Sequence, residues 1–430
     1  MKGHLAICMG ALLASACGAG WASAAPAQPA FGGPVAVGDG VTIDPILDAR
    51  LRWEDVDATT KSADAVTMRI RSGAEIRHAP SHLALLVEGT ATLAIDPHYN
   101  AFPFASVSHQ YRSAQAVVAD PETIGLNRLQ VQYATRPLTL TLGRQRINLD
   151  DQRFVGSVGW RQNEQTFDAV RAEVRQGPVT LDATYAGKQR TIYGNDAPPR
   201  LYYSGSFYFL NAGIKTRYAL VKGFAYLLDY DRTSFINAAA RSQLDSSQTY
   251  GLRATGSLPL NKVVALSYMG SWAVQSNYGN NLRHYRVEYG AAEGGLTVKN
   301  QTATVGYELL GSDVNAVGGA WAMQTPMATL HKFNGWADVF LTTPANGLTD
   351  TYVGLAGKFP KVKALPGLNY AASYHWYGSD IRSMKYGNEF NAQIGLRTGP
   401  ITWLAKYADY QAKGFGVDTK KFWLQAEYGF

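Results

Sequence analysis

"LDARLRWED", residues 47–55, sorts its side chains by parity. Leu47, Ala49, Leu51 and Trp53 share one face, while Asp48, Arg50, Arg52 and Glu54 share the other. Side chains alternate across a strand but recur roughly every 3.6 residues on a helix, so this stretch reads as a strand. "VTMRIRSGAEIR" (66–77) repeats the pattern, with Val66, Met68, Ile70, Ala74 and Ile76 opposite Arg69, Arg71, Glu75 and Arg77. At the C-terminus, Phe422, Leu424, Ala426, Tyr428 and Phe430 oppose Lys421, Gln425 and Glu427. Almost every segment between alternates in the same way, and helical spacing is nearly absent.

Alternation has two structural solutions. A soluble sandwich hides its apolar face and wets the other. A transmembrane barrel turns the apolar face to lipid and lines a watery lumen with the polar one. Three features select the barrel. Short turns (Ala79-Pro80-Ser81, Thr135-Arg136-Pro137, Gln176-Gly177-Pro178, Thr398-Gly399-Pro400) alternate with long connections (Asp96–Gly125, Gln145–Gln165), which is the periplasmic/extracellular asymmetry of outer-membrane barrels. Trp53, Tyr133, Trp272, Trp376 and Tyr407 sit on the apolar face, where an interfacial girdle places aromatics. Phe430 ends the chain on an apolar-face position, as in the C-terminal signal that barrel-assembly machinery reads. The fold expected is therefore all-β, a transmembrane antiparallel barrel of about 18 strands running from residues 44–56 to 420–430, with Ser312–Thr349 as one long extracellular loop that either stays outside or folds into the lumen. A barrel of this size leaves an aqueous channel.

The first 24 residues read as a secretory signal peptide: Lys2, an apolar run from Leu5 to Ala14, and the small-residue site Ala22-Ser23-Ala24. Residues 25–43 would follow as a periplasmic segment and 44–430 as the outer-membrane barrel. Both cysteines, Cys8 and Cys17, fall in the leader, which removes disulfide scaffolds and thiol enzymes from consideration. A lipoprotein reading of Cys17 lacks the large apolar residue expected three positions upstream. No later apolar run approaches the roughly 18 residues of a membrane helix. Removing Lys2 lowers the formal charge from +7 to +6.

Parity also assigns the lumen-facing set. Arg50, Arg52, Arg69, Arg71, Arg128, Arg171 and Arg397 belong to it, with acids such as Asp48, Glu54, Glu88, Glu173, Asp182 and Glu427 interspersed. A basic excess in a low-dielectric-walled channel concentrates anions, and arginine's planar fork suits carboxylates. The plainer reading is that these charges neutralise one another and keep the lumen wet. The basic residues are spread over many strands with no binding motif, so nucleic acid is not an expected partner. No metal-ligand spacing, P-loop, dinucleotide fingerprint or HExxH occurs, and Val155 spoils a nucleophile elbow at Ser157. Asp150 and Asp151 are adjacent, which on a strand would send them to opposite faces. No enzymatic activity, cofactor or metal is expected.

"LTLGRQRINLDDQRF", followed by Trp160 and "TFDAVR", resembles the alginate export family of outer-membrane porins. In that family a strand ending in GRQ leads into an Asp-containing extracellular loop and returns through a Trp…FD strand. The matching positions are Gly143, Arg144, Gln145, Arg146, Asp150, Asp151, Trp160, Thr166, Phe167 and Asp168; "ATLHKFNGWADVF…GLTDTYVG" is a second shared block. The resemblance implies a monomeric eighteen-stranded barrel with an arginine-lined constriction passing an anionic polyuronate. It marks Arg144 as the best pore arginine, then Arg128, and Arg71 more loosely. The expectation is an anion-favouring channel for saccharides or carboxylates, with a porin lacking strong charge selectivity as the alternative. Asp150, Asp151 and Arg146 would form a collar with Arg144 and Arg171, either repelling wrong solutes or pinning the arginines.

Overall fold

Parity in the chain becomes two faces in space. On β1 (Val41–Ala58) Leu51 is 45% exposed, while its neighbour Arg52 and also Glu54 are 1% exposed. The same inversion runs around the wall: Leu142, Leu252 and Val305 are exposed, whereas Arg69, Glu389 and Lys406 are buried. Buried charge and exposed leucine reverse the order of a soluble sandwich, and lipid is the surrounding that suits them. Tyr133, Trp272 and Trp376 of the expected girdle are exposed among these apolar residues.

The computed structural model describes residues 33–197, 202–231, 241–360, 362 and 364–430; the expected signal peptide lies outside them. After β1 come β2 (Lys61–His78), β3 (Leu83–His98), β4 (Thr123–Ala134), β5 (Leu138–Gln145) and β6 (Thr166–Gln176). Then follow β7 (Val179–Arg190), β8 (Tyr202–Lys215), β9 (Ala219–Tyr230), β10 (Ser247–Pro259), β11 (Val264–Asn277) and β12 (Arg286–Val298). The last six are β13 (Gln301–Leu310), β14 (Leu348–Lys358), β15 (Asn369–Gly378), β16 (Lys385–Thr398), β17 (Ile401–Ala412) and β18 (Thr419–Gly429). Each pairs antiparallel with its sequence neighbours, and β18 pairs with β1 from Asp48↔Gly429 to Ala58↔Thr419, closing an 18-strand barrel. Closure leaves no free sheet edge in the membrane. Phe430 N–H donates to Leu47 O at 2.9 Å, so the last residue is tied to the first barrel strand. A four-residue strand, Val35–Gly38, hairpins onto the start of β1, which begins three residues before the expected 44.

Long loops turn into the lumen. The 146–165 and 311–347 loops meet at a bridge between Val155 and Met327, and Trp160 stacks on His331 at 4.5 Å and 2°. Ile147, Leu149 and Val155 are buried with Met323, Met327 and the inward rings of Phe207, Phe209 and Phe224. That cluster is a hydrophobic core inside the barrel, and it explains why β8 is apolar on both faces: Tyr208 and Leu210 face lipid, Phe207 and Phe209 face the loops.

The dive of the 146–165 loop shortens β5 to eight residues. Its last pairing with β4 is Leu129↔Arg144, so Thr123–Arg128 of β4 has no strand on that side. Side chains complete the wall instead: Arg144 and Arg190 donate to Leu126 O at 3.3 and 3.1 Å, and Asn195 Nδ2 to Ile124 O at 2.6 Å.

Candidate functional site

β1 and β2 bring four guanidiniums together on the inner wall, because Arg50 stands opposite Arg69 and Asp48 opposite Arg71. Arg50 Nη1 donates to Gly159 O and Trp160 O at 3.2 and 3.1 Å, and its Nη2 pairs with Glu427 at 2.9 Å. Arg52 donates to Trp160 O at 2.7 Å and to Gln425, and its guanidinium lies 4.0 Å over the Trp160 ring. Arg69 bridges Asp48 and Glu427, and Arg71 pairs with Glu164 at 3.1 Å and donates to Gln162 O. All four are buried. Three of them grip the backbone of the 146–165 loop, so this stretch of the arginine wall is an anchor for that loop.

Other cations keep solvent contact. A bulge at Glu88/Gly89 turns both Asn127 and Arg128 of β4 inward, where Arg128 forks onto Glu88 at 3.0 and 2.6 Å. Arg146 joins Glu88 at 3.3 Å and also Glu164. Arg171 forks onto Asp182 and reaches Glu173 at 3.2 Å. Asp150 pairs with Lys222 of β9 at 2.5 Å and Asp151 with Arg253 of β10 at 2.9 Å. Side-chain exposure is 30% for Arg146, 24% for Lys222 and 16% for Arg128 and Arg171, against 1% for Arg52 and Arg69, so the former four can meet a passing solute.

The two loops are locked by a buried ionic hub. Asp338 accepts from Arg161 at 2.7 Å, from Lys421 of β18 at 2.9 Å and from His331 Nδ1 at 2.7 Å. Lys406 Nζ meets His331 Nε2 at 2.7 Å and lies over the rings of Trp160 and Trp336. Arg153 pairs with Glu308 at 2.8 Å and donates to Asn334 Oδ1, and Ala337 N–H donates to Glu389 at 2.8 Å. Burial pushes the His331 imidazole down; Asp338 opposes this, Lys406 and Arg161 reinforce it, and the ring stays neutral well below its ordinary range. Burial would raise Glu164, but Arg71 and Arg146 outweigh it and hold its pKa at about 2.

The expected collar is therefore redistributed. Arg144 follows Leu140 and Leu142 on the outward face, opposite exposed Leu129, and forks onto Asp168 at 2.7 and 2.9 Å; it is not a pore residue. The GRQ…FD motif acquires a physical meaning from this. Gly143 has φ +114 and a Cβ there would stand 2.3 Å from Leu129 O, Arg144–Asp168 is an outer-face ion pair, and Gln145 Nε2 donates to Ala169 O at 3.1 Å at the strand end. Asp150 and Asp151 pin Lys222 and Arg253, not Arg144 or Arg171. Arg397 sits beside the Gly399 turn, donating to its carbonyl at 3.1 Å, away from the loops. Arg153, Arg161, His331 and Asp338 were not singled out by sequence; the block "HKFNGWAD" that carries the last two was visible only as a resemblance. Ser157 donates to Asn148 and meets no base, and among the described residues no group of three His, Cys, Asp or Glu could hold a metal ion.

Comparison with known proteins agrees with this architecture. OpdK of Pseudomonas aeruginosa, solved with vanillate, superposes with a TM-score of 0.67 at 13% identity over 90% of this chain and 98% of its own. OccAB3 of Acinetobacter baumannii gives 0.66 at 13% identity, covering 90% and 99%. OpdL of P. aeruginosa gives 0.64 at 16%, covering 90% and 98%. No curated protein matches the chain by sequence. The alginate export family profile matches residues 48–300. The chain is an outer-membrane β-barrel channel and belongs to the alginate export family.

Proposed function

We propose that this channel passes small anionic solutes, carboxylates and saccharide acids among them, by passive diffusion. The observation that carries the reading is the set of solvent-reachable cations, Arg128, Arg146, Arg171 and Lys222, beside loops that narrow the lumen. A carboxylate moving past them exchanges one charge-assisted partner for the next, because each cation is already poised on Glu88, Asp182 or Asp150. The loops favour a small solute over a polymer: a polyuronate thread would have to displace both. The vanillate held by OpdK is itself a carboxylate. The chain would work as a monomer delivered by its signal peptide, with Phe430 read by the assembly machinery.

Reconstituted channels in a salt gradient should give an anion-selective reversal potential, and R128E with R146E should reverse or abolish it. Cation selectivity of the unaltered channel overturns the proposal. One observation favours a porin without strong charge selectivity, namely that each of these cations already has a carboxylate partner. Equal passage of neutral and anionic sugars in liposome swelling would decide for that second reading.

A further inference from the structure

The lipid-facing surface between β4 and β8 changes character across a single step of the ladder. One cross-strand row reads Val131, Leu142, Val170, Tyr185 and Tyr208, all exposed. The next row toward the extracellular side reads Leu129, Arg144, Asp168, Lys188 and Ser204. Hydrocarbon suits the first row and headgroups the second, so the boundary of the outer leaflet falls between them.

At that boundary the cations outnumber the acids. Asp168 is taken up by the Arg144 fork, which leaves Lys188 and Arg190 in surplus. Lys188 is exposed, with Nζ 5.0 Å from the ring centre of outward-facing Tyr202. Arg190 is 9% exposed, and among the described residues no carboxylate pairs with it. Arg144 and Arg190 even converge on the same acceptor, Leu126 O, bringing two guanidiniums together around one neutral carbonyl. Like charges held this close favour an anion nearby.

We propose that Arg144, Lys188 and Arg190 bind the phosphate of a phosphorylated glycolipid of lipid A type in the outer leaflet, with its acyl chains lying on Leu142, Val170 and Tyr185. Guanidinium forks match phosphate oxygens, the ammonium adds a point charge, and the apolar row below supplies contact that free phosphate lacks. The proposal rests on the outward face and its height, and is independent of which solute crosses the lumen.

The test is lipid retention by the folded full-length barrel in native mass spectrometry, after exposure to bisphosphorylated lipid A, its dephosphorylated form, or inorganic phosphate. The unaltered protein should retain the bisphosphorylated lipid, and K188E/R190E should bind it roughly tenfold more weakly. Because Arg190 also completes the wall, K188E alone serves as the variant that leaves the seam intact; it should weaken retention with unchanged channel conductance. Equal retention of dephosphorylated lipid A, or undiminished retention by both variants, overturns the proposal. Competition by inorganic phosphate as strong as by the lipid would show a generic anion site and likewise overturn it.

Discussion

Asp338→Asn tests whether the ionic hub holds the 311–347 loop in the lumen. Asp338 has φ +63, a conformation asparagine tolerates, so the substitution removes charge without adding backbone strain. His331, Arg161 and Lys421 all donate to Asp338, and the side chains of all four are no more than 6% exposed. Breaking a buried ion pair from one side costs about 3–5 kcal/mol. Arg161 keeps Glu54 at 3.3 Å, which places the expected loss near the lower end, about 3 kcal/mol. At about 1.4 kcal/mol per factor of ten, the undocked loop should become roughly a hundredfold more populated. The chain has no cysteine after Cys17, so Met327→Cys, at a fully buried position, supplies a single reporter in that part of the chain. Maleimide labelling of that cysteine from the extracellular side should accelerate roughly a hundredfold in the D338N background, with larger and noisier single-channel currents. An unchanged labelling rate in a barrel that still shows folded gel mobility would refute the hub as the lock.

Two further outcomes follow from the same geometry. Docked His331 is held neutral while an undocked imidazole protonates near pH 6.5, so docking is full above that pH and weakens as pH falls below it, by at most about 1.4 kcal/mol per unit; currents should rise on acidification, and H331Q should flatten the response, a profile identical to the unaltered channel counting against it. Gly143→Ala places a Cβ against Leu129 O at positive φ, a strain of about 1–3 kcal/mol, and should lower the urea midpoint for folding into lipid, an unshifted midpoint contradicting the close-approach account.

Strand number and pairing were legible because lipid enforces an apolar outer face on the strands and most of them put polar residues on the other, and the C-terminal Phe430 anchored the count. The pattern around Arg144 held its outward placement, since Leu138, Leu140 and Leu142 lead straight to it on the lipid face, but the parity reading did not extend to it. The motif resemblance alone put the residue in the pore. Arg128 was placed in the lumen by parity, and the spacing Leu126-Asn127-Arg128-Leu129 breaks alternation at the bulge that turns Asn127 inward beside it. The partners through which the loops dock were hidden for a different reason. Arg161 and Asp338 are 177 positions apart, and nothing local in either segment specifies the partner. The both-faced apolar run of β8 did carry the signal, because a strand facing only lipid and water has no use for Phe207 and Phe209 inside.

Where β5 stops short, the wall beside β4 is written in side chains. Along the paired strands the ladder is backbone, and a change of side chain other than to proline leaves its hydrogen bonds in place. Beside Ile124 and Leu126, the bonds belong to Arg144, Arg190 and Asn195, so a single missense change there edits the wall itself. The barrel thus carries a short segment of wall whose hydrogen bonds depend on the identity of three side chains and not on the backbone alone.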